Sequence, residues 1–414
     1  MTVPAATERD ALSLLSAQAV RSRAKQMLEV GLRDGLAHFR LDLDRMDGVA
    51  EAVVATIEKN YPSLNIPFHA RWRHFVVDGE DRWARMAGRL NWSDRASRAR
   101  AEFDLAIVSV LLDAGAGAAW RYRDDATGKA IGRSEGLALA SLDMFASGAF
   151  SSNPRDPCRV DADKLSELTA TALERGFQAG GRNPLVGLEG RADLLRRLGR
   201  LVSARPEIFG RADAPRPGGL FDHLIARAKG NAIAAPAILH EVLVHLGPIW
   251  PSRLTLAGVP LGDCWKHPAV STGDATDGLV PLHKLSQWLT YSLIEPLQRA
   301  GIKVTDIDGL TGLAEYRNGG LFVDLGVLVL RDAADASRSH EVDSALVVEW
   351  RALTVALLDH LADKVRARLN RDAESLPLAS LLEGGSWAAG RAAAFERRAD
   401  GSPPIKVISD GTVF

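Results

Sequence analysis

Along most of the chain, apolar residues recur at three- and four-residue steps, the spacing that lines one face of an α-helix. Leu12, Leu15, Val20, Ala24, Met27 and Leu28 open the series, with Gly31 where such a helix would end. Val49, Val53, Val54 and Ile57 repeat it ahead of Pro62. Ser93 is placed to cap a helix through "AEFDLAIVSVLLDAG", and Ser134 another through "EGLALASLDMFA". Further helices are expected over 162–175, 190–203, 219–229, 236–246, 281–300 and 342–369. Strand signals are few. "RLTLAGVPLGD" (253–263) reads as two short strands about a glycine turn, "GLFVDLGVLVL" (320–330) as a buried strand, and "PPIKVISDGTVF" (403–414) as a last one. The pattern predicts a mainly α protein with a few short β-strands. Loop-rich stretches at 151–160, 205–219 and 265–280 are candidate boundaries, but none is long or polar enough for a disordered linker. The chain therefore reads as a single unit, 1–414, with helical lobes 1–150 and 160–400 sharing a central cleft.

Composition narrows the class. Hydrophobic residues make up 46% and charged residues 25%, which suits a globular chain with a sizeable core. Lys plus Arg number 51 against 52 for Asp plus Glu, a net charge of −1, so the field that draws a protein to nucleic acid is missing. Cys158 and Cys264 lie far apart without ligand spacing, which argues against a disulfide framework, structural zinc or an iron–sulfur cluster. The opening "MTVPAATERDALSLL" has no basic stretch followed by an apolar one, and no window of about twenty residues is apolar without charge. The expectation is a cytoplasmic protein with no membrane span, no nucleic-acid partner, no metal and no cofactor.

Three motifs tempt and are set aside. "LLDAGAGAAW" (111–120) imitates a dinucleotide loop, with Glu135 downstream, but a helical pattern precedes the glycines where a strand is needed, so Gly115 reads as a helix end. "HEVLVH" (240–245) suggests a zinc helix, yet its histidines are five apart and point roughly 140° away from each other. "LVGLEGRADLLRRLG" (185–199) has the rhythm of a helix-hairpin-helix element, although any tight helix junction wants glycine.

The remaining constellations carry chemistry. "NIPFHARWRHF" (65–75) sets His69, Arg71, Arg73 and His74 around Trp72, a set suited to a planar anion; the plainer alternative is a loop with one wet face. "GDCWKHP" (262–268) gathers Asp263, able to act on a reacting carbon, and Trp265, able to stack on a ring. In "LVPLHKLSQWLTYSLIEPL" (279–297), Lys284, Gln287 and Trp288 fall on one helix face, with His283 just before them and Pro281 near the first turn. A lysine with a glutamine one turn on could hold a phosphate or a carbonyl. In "DIDGLTGLAEYRNGGLFVDLGVLVL" (306–330), Glu315 and Asp324 are candidates for general acid, general base or nucleophile. Tyr316 and Arg317 stand beside them, and Gly319 and Gly320 would let the backbone pass close to a ligand. Together these groups fit a small anionic substrate with a planar part.

"IPFHARWRHF", "SVLLDAGAG", "RSEGLALAS", "LVPLHKLSQWLTYSLIEPL" and "GLTGLAEYRNGGLFVDLGVL" resemble a family of similar length tied to uracil catabolism in fungi and bacteria, otherwise labelled a domain of unknown function. The resemblance implies a route in which uracil becomes its nucleotide, the ring opens and ribosylurea-type species appear. A more distant likeness is to the queuosine-salvage glycosidases. There a lysine-glutamine helix precedes an Asp-Ile, Leu-Thr, Asp-Tyr-Arg stretch; here "HKLSQ" (283–287) and "DIDGLTGLAEYR" (306–317) follow the same order. Glu315 stands in place of that Asp, and Asn-Gly-Gly replaces Val-Pro-Gln. These likenesses imply a DNA-glycosylase-like helical architecture and a metal-independent N-glycosidase acting on a ribosylurea or ring-opened uracil nucleotide in phosphorylated form. In that mechanism Asp263 or Glu315 faces the anomeric carbon, Lys284 and Arg317 hold phosphate or orient the carboxylates, and Trp265 and Trp288 wall the sugar. An amidohydrolase working on the urea part, or a non-catalytic partner of the pathway, are the alternatives.

Overall fold

The computed structural model describes residues 6–113, 115–117, 119–210, 215–250 and 254–408. Long helices carry the fold: Ala17–Leu32, Met46–Asn60, Arg95–Leu111, Arg133–Ala146, Leu188–Ala204, Lys284–Arg299 and Ala345–Leu369. Among the described residues, each strand is two or three residues long and belongs to a two-stranded pair. The protein is mainly α with a few short strands.

Four long stretches of helix among the described residues are buried at every position, 101–111, 136–142, 287–294 and 346–358. A helix without a wet face belongs in the interior. Ala345–Leu369 packs on Ala17–Leu32 and Met46–Asn60, while Lys284–Arg299 packs on Arg95–Leu111 and Ala235–Leu246. One contiguous apolar cluster runs from Leu15 to Ile405. Charges inside it are paired, as burial demands. Glu102, 0% exposed, accepts hydrogen bonds from Trp83 Nε1 at 3.0 Å, Arg98 Nε at 2.9 Å and Arg299 Nε at 3.1 Å.

Several expectations shift. The run 320–330 is no continuous strand: Tyr316–Asp324 is a helix, and only Leu328–Leu330 is extended, antiparallel to Phe39–Leu41. An apolar run cannot by itself separate a buried helix from a strand; here the Glu315 side chain decides, because it accepts Arg317 N at 2.8 Å and Asn318 N at 2.6 Å and so starts a helix. Gly319 and Gly320 lie inside that helix. A Cβ on Gly319 would come within 2.8 Å of the Trp350 indole, whose Nε1 donates to the Gly319 carbonyl at 3.1 Å. Close helix packing, rather than approach to a ligand, explains that glycine.

Asp94 rather than Ser93 caps Arg95–Leu111, and Gly132 occupies the cap position expected for Ser134. The helix expected over 162–175 is broken into Ala162–Ser166 and Ala170–Gly176. Pro281 ends the strand Leu279–Pro281, which pairs with Cys264–Lys266. The hairpin at 253–263 is present as Thr255–Leu256 and Val259–Pro260. The last strand is Lys406–Ile408, parallel to Ser339–Glu341; residues 409–414 of that expected strand lie outside the described residues, as do Arg253 and parts of the 111–120 and 205–219 stretches. Among the described residues, no helix is long and apolar enough to cross a membrane.

Candidate functional site

The site is built on the first turn of Lys284–Arg299. Asp263 sits beneath that turn and accepts the Lys284 backbone N–H at 3.0 Å. Arg351 grips both carboxylate oxygens at 2.8 Å, and Trp265 Nε1 donates at 2.7 Å. Burial alone would raise the Asp263 pKa, but the guanidinium and these donors more than offset it and hold the carboxyl below its ordinary range. His283 enters the helix with φ 46°, its buried ring bonded through Nε2 to the Leu14 carbonyl at 3.0 Å. One turn on, Gln287 Oε1 accepts Thr311 N at 2.9 Å while its Nε2 donates to Thr311 Oγ1. Tyr291 OH donates to the Thr311 carbonyl at 2.9 Å. This clasp fixes the segment that leads to Glu315 against the lysine helix.

Above the clasp lies a cavity of about 360 Å³, bordered by Asp113, Arg133, Ser134, Lys284, Tyr316, Arg317, the 115–117 loop and the segment 401–407. The volume is in the range of small-ligand sites. The Lys284 ammonium has no hydrogen-bond or ion-pair partner among the described residues. Burial lowers its pKa, opposed by the charges of Glu315 and Asp113 and reinforced by Arg351. Burial raises the Glu315 pKa, against its two backbone donors and Lys284. Arg317 Nη1 donates to the Gly401 carbonyl at 2.8 Å, and its guanidinium lies 4.9 Å from the Tyr316 ring centre. Arg133 adopts φ 57°, a left-handed conformation that a non-glycine residue holds at some cost.

Behind the cavity is a buried polar layer around Trp288. Arg71, fully buried, pairs with Asp113 at 3.1 Å and donates to Ser109 Oγ at 2.7 Å. Its guanidinium stands 5.5 Å from the Trp288 ring, and the His74 ring lies 5.6 Å from the same indole. Arg71 Nη1 is 3.3 Å from His74 Nδ1; since arginine only donates, that nitrogen accepts and the ring is neutral. Burial and the adjacent guanidinium lower the His74 pKa to about 4.

The sequence-expected residues therefore separate into groups. Lys284, Tyr316 and Arg317 border one cavity, with Glu315, His69, Arg71 and Trp288 in or beside the polar layer. Asp263, Trp265, His283 and Gln287 belong to the clasp. Asp263 was expected to face the reacting carbon, but its oxygens are committed to Arg351, Trp265 and the Lys284 backbone. Arg73 and Asp324 do not border this cavity: Arg73 turns to Glu295 at 2.9 Å, and Asp324 is gripped by Arg398 at 2.8 and 2.6 Å. Asp113, Arg133 and Ser134 were not anticipated, nor was the wall 401–407. The "LLDAGAG" stretch does follow a helix, yet its loop still lines the cavity. Arg191 holds that loop through Leu112 O at 2.6 Å and Gly115 O at 2.9 Å.

A second titratable cluster lies elsewhere. His240 takes no part in it: its Nδ1 meets the Leu15 carbonyl at 3.0 Å. His223 and His245 instead share Glu241 Oε2, through Nε2 at 2.6 and 2.9 Å. Both rings meet a guanidinium at Nδ1, His223 from Arg227 and His245 from Arg205, each at 3.1 Å. Both Nδ1 atoms must then accept, which puts the protons on Nε2 and removes the lone pairs a metal ion would need. The two guanidiniums also oppose a cation there.

Comparison with known proteins places the chain. It is 43% identical over 411 residues to Protein urg3 of Schizosaccharomyces pombe, covering 97% of this chain and 98% of that protein. It is 40% identical over 435 residues to Uracil catabolism protein 4 of Lachancea kluyveri, covering 96% and 98%. The family described as "Protein of unknown function (DUF1688)" matches residues 13–414. The chain belongs to the DUF1688 family.

Proposed function

We propose that this protein serves uracil catabolism as a hydrolase that cleaves the N-ribosyl bond of a ribosylurea or ring-opened uracil nucleotide. The name of the relative from Lachancea kluyveri supports the pathway. The observation that carries the chemistry is the cavity itself, where a half-buried lysine whose ammonium is unpartnered among the described residues stands with a carboxylate, two guanidiniums and a phenol. Breaking a ribosyl C–N bond develops positive charge at the sugar carbon, which a nearby carboxylate steadies. Asp113 borders the cavity and takes that role, in place of Asp263. The charge of Glu315 favours the charged ammonium of Lys284, against the burial that lowers its pKa. Arg133 and Arg317 supply the cationic anchors that a 5′-phosphate requires.

The likeness to queuosine-salvage glycosidases supports the same reading and has a physical counterpart. Gln287, in the first shared stretch, is hydrogen-bonded to Thr311, in the second. The two stretches act as one clasp. We read the helical arrangement as DNA-glycosylase-like on that basis. An amidohydrolase using a thiol finds little support, because Cys264 is 0% exposed and burial pushes its pKa up.

Mass spectrometry of the purified protein incubated with N-ribosylurea and its 5′-phosphate tests the proposal. Release of ribose or ribose phosphate is expected. Release of ammonia would assign the amidohydrolase role instead, and binding without turnover would assign a non-catalytic one.

A further inference from the structure

His69 is paired with a carboxylate. Its Nδ1 lies 2.7 Å from Glu383 Oε2. Glu383 belongs to a π-helical turn, Leu382–Ser386, set between Leu378–Leu381 and Trp387–Arg397. Such turns insert an extra residue into a helix and redirect a side chain, often at functional sites. Two glycines allow the turn to nest. A Cβ on Gly384 would meet Ile66 at 2.9 Å, and one on Gly385 would meet Val53 at 2.6 Å. The turn is tied to both partners of the site. Ser386 Oγ donates to Asn318 Oδ1 at 2.8 Å, and His69 N donates to the Ala379 carbonyl at 2.9 Å.

The ring is almost enclosed but not sealed, at 8% exposed, between Trp288 at 6.4 Å and Trp387 at 6.5 Å. With Nδ1 bound to Glu383, Nε2 has no partner among the described residues. The charged and titratable groups around the pair are Glu315, His74, Arg73 and Tyr61. Burial would raise the Glu383 pKa, but the hydrogen bond from His69 and the nearby cations more than offset it. An ionised Glu383 accepts Nδ1–H, so the neutral ring keeps its lone pair on Nε2. A carboxylate that fixes the tautomer of a nearly enclosed imidazole is a general-base arrangement.

We propose that His69 is the catalytic base of the hydrolysis, with Glu383 as its positioning residue, an assignment that rests on the N-ribosyl reading above. The oxygen of a water bonds to C1′ as the C1′–N bond breaks, and the bonding pair leaves with the urea nitrogen. His69 Nε2 takes the proton lost by the water and returns one to that nitrogen. N-ribosylurea and water give the free sugar and urea, with His69 restored. Asp113 steadies the sugar cation while His69 handles the proton, so neither group substitutes for the other.

The test combines turnover with imidazole ¹⁵N NMR on the full-length protein, using His69→Gln to assign the ring. In the wild type, the Nδ1–H tautomer and a shift of Nε2 on adding N-ribosylurea are expected. His69→Gln should lower kcat by about 10²–10⁴-fold, with KM little changed. Glu383→Gln keeps an acceptor but loses the charge, so it should lower kcat less and move the acid limb of the pH profile to lower pH. A wild-type rate in His69→Gln, an unmoved acid limb in Glu383→Gln, or an Nε2–H tautomer overturns the dyad while leaving the N-ribosyl reading intact. Absence of wild-type turnover of N-ribosylurea and its 5′-phosphate overturns that reading and, with it, the base role of His69.

Discussion

The clasp around Asp263 and the cavity above it use the same kinds of residue to opposite ends. In the clasp, Asp263, Arg351, Trp265, Gln287 and Thr311 exchange hydrogen bonds until the carboxylate and amide are committed. In the cavity, Lys284 is held by its backbone to that clasp while its ammonium has no bonded partner among the described residues. Saturated polar groups make a scaffold, because each is costly to disturb. A half-buried cation whose ammonium is unbonded among the described residues is poised for something that arrives. The lesson is that a charged residue's role is read from what remains unbonded.

Breaking the clasp should have the largest effect. Arg351→Met leaves Asp263 buried without its cation and should destabilise the fold by about 3–5 kcal/mol. Urea denaturation measures it, and an unchanged midpoint would erase the distinction between clasp and cavity. Lys284→Met should do the reverse: turnover of N-ribosylurea falls by about 10²-fold or more, while thermal stability holds or rises because a desolvated ammonium is removed. Gly319→Ala forces a methyl into the Trp350 indole and should cost about 1–3 kcal/mol, read from the thermal midpoint.

The polar layer should make the protein acid-sensitive. His74 has a folded pKa near 4 against an ordinary 6.5, so its neutral form is the folded one. Stability from that group is full above pH 6.5 and is lost as pH falls toward 4. Burial depresses His283 and His245 in the same direction. Urea midpoints between pH 7.5 and 5 (experimental settings of about that span) should decline, and His74→Gln should flatten the slope. The smallest effect is expected from Arg73→Ala, whose half-buried pair with Glu295 should contribute about 1 kcal/mol or less, read from the urea midpoint.

Much of the helical plan was legible because apolar spacing records which face is buried, as in Met46–Asn60 and Ala345–Leu369. Local competition was not. Ser93 and Asp94 are adjacent and both can cap, and only the reciprocal bond with Ser97 settles the choice. The run after Arg317 carried apolar residues suited to strand or helix, and a side-chain cap tipped it. In the candidate site, the spacing put Lys284 and Trp288 about one turn apart on the helix Lys284–Arg299. It could not tell that Gln287 and Asp263 would be consumed by Thr311 and Arg351, since those partners lie far along the chain. Asp113 escaped notice because a residue at a helix end looks like a cap until its surroundings are known.

The wall formed by 401–407 has a consequence for biosynthesis. Its strand can pair with Ser339–Glu341, and Arg317 can find the Gly401 carbonyl, only after the chain has been made through at least Val407. During translation the helices can therefore gather while the pocket still lacks one side. A ribosome stalled before that point would present a chain whose cavity lacks this wall.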